Sequence, residues 1–131
     1  PKDLFEKTVS GGEAARRGSW GERLGAADLE RRGFQIIARG YRSRFGEIDL
    51  VALNEQYLCF TEVKLRKSEA FAPAWAFVDR RKQEKLRVTA ELFLAEHPQL
   101  QQQPRFDIAE VYAPQGTKTQ NPEIVYWENA F

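Results

Sequence analysis

The sequence predicts an α/β domain with a mixed β-sheet flanked by helices, and three observations carry that expectation. The chain has 131 residues, 42% hydrophobic and 30% charged, which is enough for one hydrophobic core and ordinary for a folded domain. Apolar residues recur at helical spacing in some segments and as alternating or β-branched runs in others. These segments follow the order α-β-β-β-α-β-β, in which the second helix can link two parallel strands by a right-handed crossover.

Each element has its own signal. Ser19, with Glu22 three positions on, reads as a capping box that opens the first helix, which runs through Arg32 to a terminating Gly33. Residues 34–39 are apolar and β-branched enough for a strand, and residues 39–45 read as an arginine-rich connection. Residues 47–53 alternate, with Ile48, Leu50 and Ala52 expected on one face and Asp49, Val51 and Leu53 on the other. Asn54 and Glu55 make a short turn, and residues 56–65 return as the partner strand of a hairpin. Residues 69–78 hold Pro73 and several aromatics and read as a packed loop. Asp79 caps a second helix expected to run to about Glu96, stopped by Pro98. Residues 105–112 and 123–127 supply the last two strands.

No repeat or long internal linker divides the chain. Residues 19–131 are expected to form a single domain, preceded by a flexible N-terminal segment, residues 1–18. No apolar run approaches the roughly 18 residues that span a bilayer, so no membrane partner is expected. Residues 1–12 lack the apolar centre of a signal peptide, and the expected setting is cytoplasmic. The chain begins at Pro1 and contains no methionine, as expected of a trimmed product. Its single cysteine, Cys59, lies in an apolar stretch and reads as a small core residue.

The net charge of +1 says little, but its distribution says more. Residues 31–44 carry five arginines and no acid; residues 64–87 carry eight basic residues against Glu69, Asp79 and Glu84. From Glu91 onward only Arg105 and Lys118 face six carboxylates. A basic half joined to an acidic half describes either one face that meets a polyanion or simply solvated surface.

The residues that carry chemistry lie on the hairpin. On its second strand Leu58, Phe60, Glu62 and Lys64 share a parity, so a carboxylate and an ammonium project to the same side. A turn near Asn54 sets residues whose numbers sum to about 109–111 opposite one another. Asp49 then faces residues 60–62, and two carboxylates and a lysine converge on one patch. Two carboxylates hold a hard cation such as Mg²⁺ through oxygen and leave positions for water and phosphate. A lysine beside them can orient that water or stabilise charge on phosphorus, which is the chemistry of phosphodiester hydrolysis. Taken alone, Glu62 and Lys64 also read as a cross-strand ion pair.

Further pieces occur in a defined order: Gly21-Glu22 in the opening helix, Gly46-Glu47-Ile48-Asp49-Leu50-Val51, and Glu62-Val63-Lys64-Leu65-Arg66. They continue with Asp79-Arg80-Arg81-Lys82 and Arg105-Phe106-Asp107. Together they resemble the YraN-like family of endonuclease-related proteins, of the PD-(D/E)xK nuclease superfamily and similar to archaeal Holliday-junction resolvases. The resemblance covers residues 18–112, with Asn129-Ala130-Phe131 matching the family's usual ending, and departs at Gly40, where a polar Asn is expected.

The resemblance implies a restriction-endonuclease-like core and a metal-dependent endonuclease that hydrolyses DNA, branched or flapped DNA included, with Mg²⁺ or Mn²⁺. It implies Asp49, Glu62 and Lys64 as catalytic residues, and Glu22, Asp49 and Glu62 as metal ligands. Glu22 keeps its second reading as a capping-box acid, although Glu22, Gly25, Ala26 and Leu29 share a helical face whose small residues allow close approach to the sheet. Arg42, Arg44, Arg66 and Lys82 are the expected nucleic-acid contacts, to DNA ahead of RNA. Tyr41 and Phe45 are placed to stack on bases or to pack. Lys82 extends the stripe of Leu86, Thr89 and Phe93, either toward phosphate or along the core with its head in water. His97 reads as a helix-end residue. No His/Cys cluster suggests zinc, and no glycine-rich loop suggests a nucleotide cofactor. The alternative is a nucleic-acid-binding module that keeps the fold without cutting; a protein adaptor would leave the basic clusters without a purpose. A homodimer is left open.

Overall fold

The computed structural model describes residues 13–68, 76 and 78–131, with side chains from residue 18 onward. Its elements are α1 (Glu13–Arg31), β1 (Gln35–Ser43), β2 (Gly46–Leu53), β3 (Tyr57–Arg66), α2 (Arg80–Glu96), β4 (Gln103–Tyr112) and β5 (Glu123–Trp127). This is the expected α-β-β-β-α-β-β order, in a restriction-endonuclease-like layout. The five strands lie side by side in chain order. Neighbours are antiparallel except β3 and β4, which run parallel with α2 as the connection between them.

The sheet separates two apolar layers. Ala26 and Leu29 of α1 pack with Phe34, Leu50, Ala52 and the buried thiol of Cys59. Leu86, Ala90 and Phe93 of α2 pack on the opposite face with Ala38, Tyr41, Ile48, Val51, Leu58, Phe60 and Ile108. Asp79 caps α2 as expected, accepting the Lys82 N–H at 2.8 Å. Gly33, at φ 92°, ends α1 by the expected C-terminal motif: Phe34 N–H bonds Leu29 O and Gly33 N–H bonds Glu30 O, both at 3.0 Å. The β2–β3 register sums to 111, and Asn54 holds the turn by accepting the N–H groups of Gln56 and Tyr57.

Three expectations are corrected. Helix α1 begins at Glu13, so Ser19 lies inside it, accepting from Arg23 at 3.0 Å, and there is no capping box for Glu22 to complete. The arginine-rich connection is mostly strand, because β1 continues to Ser43. The turn that follows is closed by the Ser43 hydroxyl, which accepts from Phe45 N–H and Gly46 N–H. Third, Ile48 does not share a face with Leu50 and Ala52: it packs in the α2 layer with Val51, three residues on, while Leu50 and Ala52 pack in the α1 layer. On β1, Ala38 and Tyr41 are likewise three apart and share the α2 layer. Regular alternation forbids both pairs, so the two strands kink together. Gly40 sits in the β1 kink at φ 58°, a conformation that asparagine also tolerates, and Asp49 sits in the β2 kink. The packed-loop expectation for residues 69–78 lies outside the described residues except for Ala76, which is exposed, and Val78, which is buried.

Candidate functional site

The ladder between β2 and β3 runs from the turn only as far as Leu50 and Thr61. One rung further would set Asp49 opposite Glu62. There the Asp49 carboxylate replaces backbone pairing, its Oδ2 accepting the Val63 N–H at 2.8 Å. Asp49 therefore stands in the gap between the strands instead of on the Glu62 face, and carboxylates from both layers reach it.

From the α1 layer comes Glu22, 7% exposed in the middle of its helix. Small residues bring α1 close enough. A Cβ on Gly25 would lie 3.2 Å from Leu50 Cδ1 and 3.3 Å from Val63 Cγ2, and one on Gly21 would collide with Leu65 Cδ1. Oxygens of Glu22, Glu47 and Asp49 lie within 4.8 Å of one another. Glu47 was not among the expected ligands; its signal was its place two residues before Asp49 on one strand, masked because an isolated Glu reads as surface. Arg42 donates to Glu47 Oε2 at 2.9 Å and so helps to orient it.

From the α2 layer comes Glu62, 6% exposed. It stands outside the Glu22–Glu47–Asp49 set and forms an ion pair with Lys82. Removal from water, then the negative charge of Glu62, push the Asp49 pKa well above the usual carboxylate range; the Val63 N–H opposes this and the charge of Glu22 adds to it. Burial alone would lower the pKa of Lys82, but its hydrogen bond and attraction to Glu62, and then the charge of Asp49, raise it. Lys64 follows Glu62 by two residues, half-buried beside Glu110 of β4, and makes no ion pair among the described residues. Three hard oxygen donors crowded together fit a Mg²⁺- or Mn²⁺-type cation, which would relieve their mutual repulsion.

The expected nucleic-acid contacts divide. Arg42 and Lys82 are at the site, each holding a carboxylate. Exposed Arg44 lies over the ring of Phe45 at 4.9 Å, at the tip of the β1–β2 turn. Arg66 is turned to Glu110 at 2.6 Å, in a separate small cavity of about 200 Å³ with Tyr112 and Val125. The base-stacking reading of Tyr41 fails: the kink at Gly40 turns its ring inward, edge-on to Phe93, with its hydroxyl donating to Glu96 at 2.6 Å. His97 is the helix-end residue expected, closing α2 with Nδ1 at 2.8 Å from Phe93 O.

A wider cleft of about 470 Å³ opens beside the acidic cluster, lined by Gly46, Glu47, Asp79, Arg81, Lys82 and Lys85. Among the described residues no helix is long and apolar enough to cross a membrane.

Residues 21–111 match the model of a family described as "Uncharacterised protein family UPF0102". A UPF0102 protein of Caldanaerobacter subterraneus is 41% identical over 111 residues, covering 85% of this chain and 84% of its own length. One from Xanthomonas campestris is 37% identical, with 86% and 87% covered, and one from Alkaliphilus metalliredigens is 34% identical, with 87% and 96% covered.

Proposed function

This chain belongs to the UPF0102 family, and on that footing we propose that it is a divalent-metal-dependent endonuclease of the PD-(D/E)xK type, acting on DNA ahead of RNA. The observation that carries the reading is the convergence of Glu22, Glu47 and Asp49 within 4.8 Å where the β2–β3 ladder ends. A binding module gains nothing from carboxylates set where phosphate must approach, since they repel it. Glu22, Glu47 and Asp49 would hold the cation, with Glu62, paired to Lys82, as the neighbouring acid. When bound, Mg²⁺ or Mn²⁺ supplies Lewis-acid stabilisation of a phosphoryl oxygen and a lowered pKa for water. Lys64, on the same side of β3 as Glu62 and free of ion pairs among the described residues, stabilises the charge that grows on the phosphoryl group.

The test is a cleavage assay over branched, flapped, single-stranded and double-stranded DNA, and RNA, with Mg²⁺ or Mn²⁺. The expected result is metal-dependent cutting of a restricted set, abolished in Asp49→Ala. Lys64→Ala should slow it on the order of 10²- to 10³-fold. Identical behaviour of wild type and Asp49→Ala on every substrate would leave the binding-module reading in its place.

A further inference from the structure

We infer that the cleft between the first turn of α2 and the β1–β2 turn seats backbone phosphates of the nucleic-acid strand entering the site, with Arg81 and Lys85 as the cations that hold them. This rests on the site being one for nucleic acid, but its test does not require cleavage.

The charge pattern of α2 is the first reason. The helix opens with Arg80-Arg81-Lys82 and has no acid in its first turn. A helix N-terminus carries partial positive charge, so cations there are unfavourable, and Arg81 and Lys85 add like-charge repulsion four residues apart. Internal partners relieve only part of this. Asp79 is committed to Lys82 N–H, Lys82 to Glu62, and Glu47 to Arg42. Arg81 and Lys85 are exposed, and their side chains make no hydrogen bond or ion pair among the described residues.

The shape is the second reason, independent of the charges. The cleft of about 470 Å³ is of ligand-site size, and its opposite wall at Gly46 has no side chain. A Cβ there would already approach the Thr89 hydroxyl to 3.4 Å and Lys85 Cβ to 3.5 Å. Glu47 lines the cleft and also belongs to the acidic cluster, so the two are continuous. A strand with one phosphodiester at the carboxylates therefore runs its next phosphates past Arg81 and Lys85. The carboxylates at the inner end repel phosphate, which confines metal-independent contact to the two outer cations.

The test is binding of short fluorescent DNA and RNA oligomers of equal length in EDTA, across a salt series. Arg81→Ala/Lys85→Ala is compared with Arg31→Ala/Lys118→Ala, which removes the same charge from the α1 side. The cleft variant should bind roughly tenfold more weakly, with a salt slope reduced by about 1.4, the contribution of two phosphate contacts on a single strand. The loss should be equal for DNA and RNA. Because the variant relieves repulsion, it should melt no lower than wild type, which separates lost contact from lost fold. An unchanged affinity and slope, an equal loss in the control, a loss confined to one nucleic acid, or no binding by wild type would each overturn the inference. A wild type that binds in this pattern yet cleaves nothing would leave it standing and remove the nuclease reading instead.

Discussion

Asp49 on β2 and Asp107 on β4 are two carboxylates withdrawn from water within one sheet, and their surroundings are opposite. Asp107, fully buried, is encircled by donors: the Arg105 guanidinium at 3.0 Å, the Tyr126 hydroxyl at 2.7 Å and the Asn129 N–H at 2.8 Å. Asp49 has one N–H and otherwise faces Glu22, Glu47 and Glu62. A carboxylate satisfied by donors fastens a fold, here the C-terminal residues to the sheet. One crowded by other carboxylates is costly to the fold and fit to take a cation. The identity of the residue is the same, and the neighbours decide the role.

The comparison breaks most visibly on stability. Asp107→Ala strands the buried Arg105 charge and should cost about 3–5 kcal/mol, read as a lowered urea midpoint. Gly25→Leu should cost about 1–3 kcal/mol by overpacking against Leu50 and Val63, and should also weaken cation binding by lifting Glu22 away. Tyr126→Phe removes the hydrogen bonds to Asp107 and to the buried Thr61 hydroxyl and should cost about 2 kcal/mol by the same measurement.

Asp49→Asn should have the smallest effect on stability at acid pH and the opposite sign at neutral pH. The folded pKa of Asp49 is raised, so in EDTA the folded chain keeps its proton where the unfolded chain has lost it. Wild type should therefore lose stability as pH rises from about 4, the ordinary Asp value, toward the raised folded value. Asp49→Asn should not show that loss. Unfolding midpoints of both proteins across this window decide it, and parallel profiles would mean that Asp49 is satisfied in the fold as Asp107 is.

Much of this was legible in the sequence where local chemistry dominates. Asp79, the periodic stripe of Leu86, Thr89 and Phe93, and Pro98 bounded α2 closely, and a short turn at Asn54 set the hairpin register. The same register sets Asp49 and Glu62 at neighbouring positions of the hairpin. What failed depends on context. Ser19 and Glu22 have capping-box spacing, but the pattern recurs within helices, and the start at Glu13 carries no stronger signal. The coupled kink at Gly40 and Asp49 breaks the two-residue alternation, so no periodicity argument could assign Ile48 or Tyr41 to the correct layer. Glu47 stands two residues before Asp49 on β2, but its part in the cluster, like the Lys82–Glu62 pair, depends on the approach of a separate element, which spacing along one strand or helix cannot express.

The central claim, that the end of the β2–β3 ladder gathers carboxylates for a cation, is tested most directly by calorimetric titration of Mn²⁺ into metal-free protein. Wild type and Asp107→Asn should each bind one ion at this site, whereas Asp49→Asn and Glu22→Gln, both still folded, should lose that binding. Undiminished Mn²⁺ binding by Asp49→Asn would contradict the account.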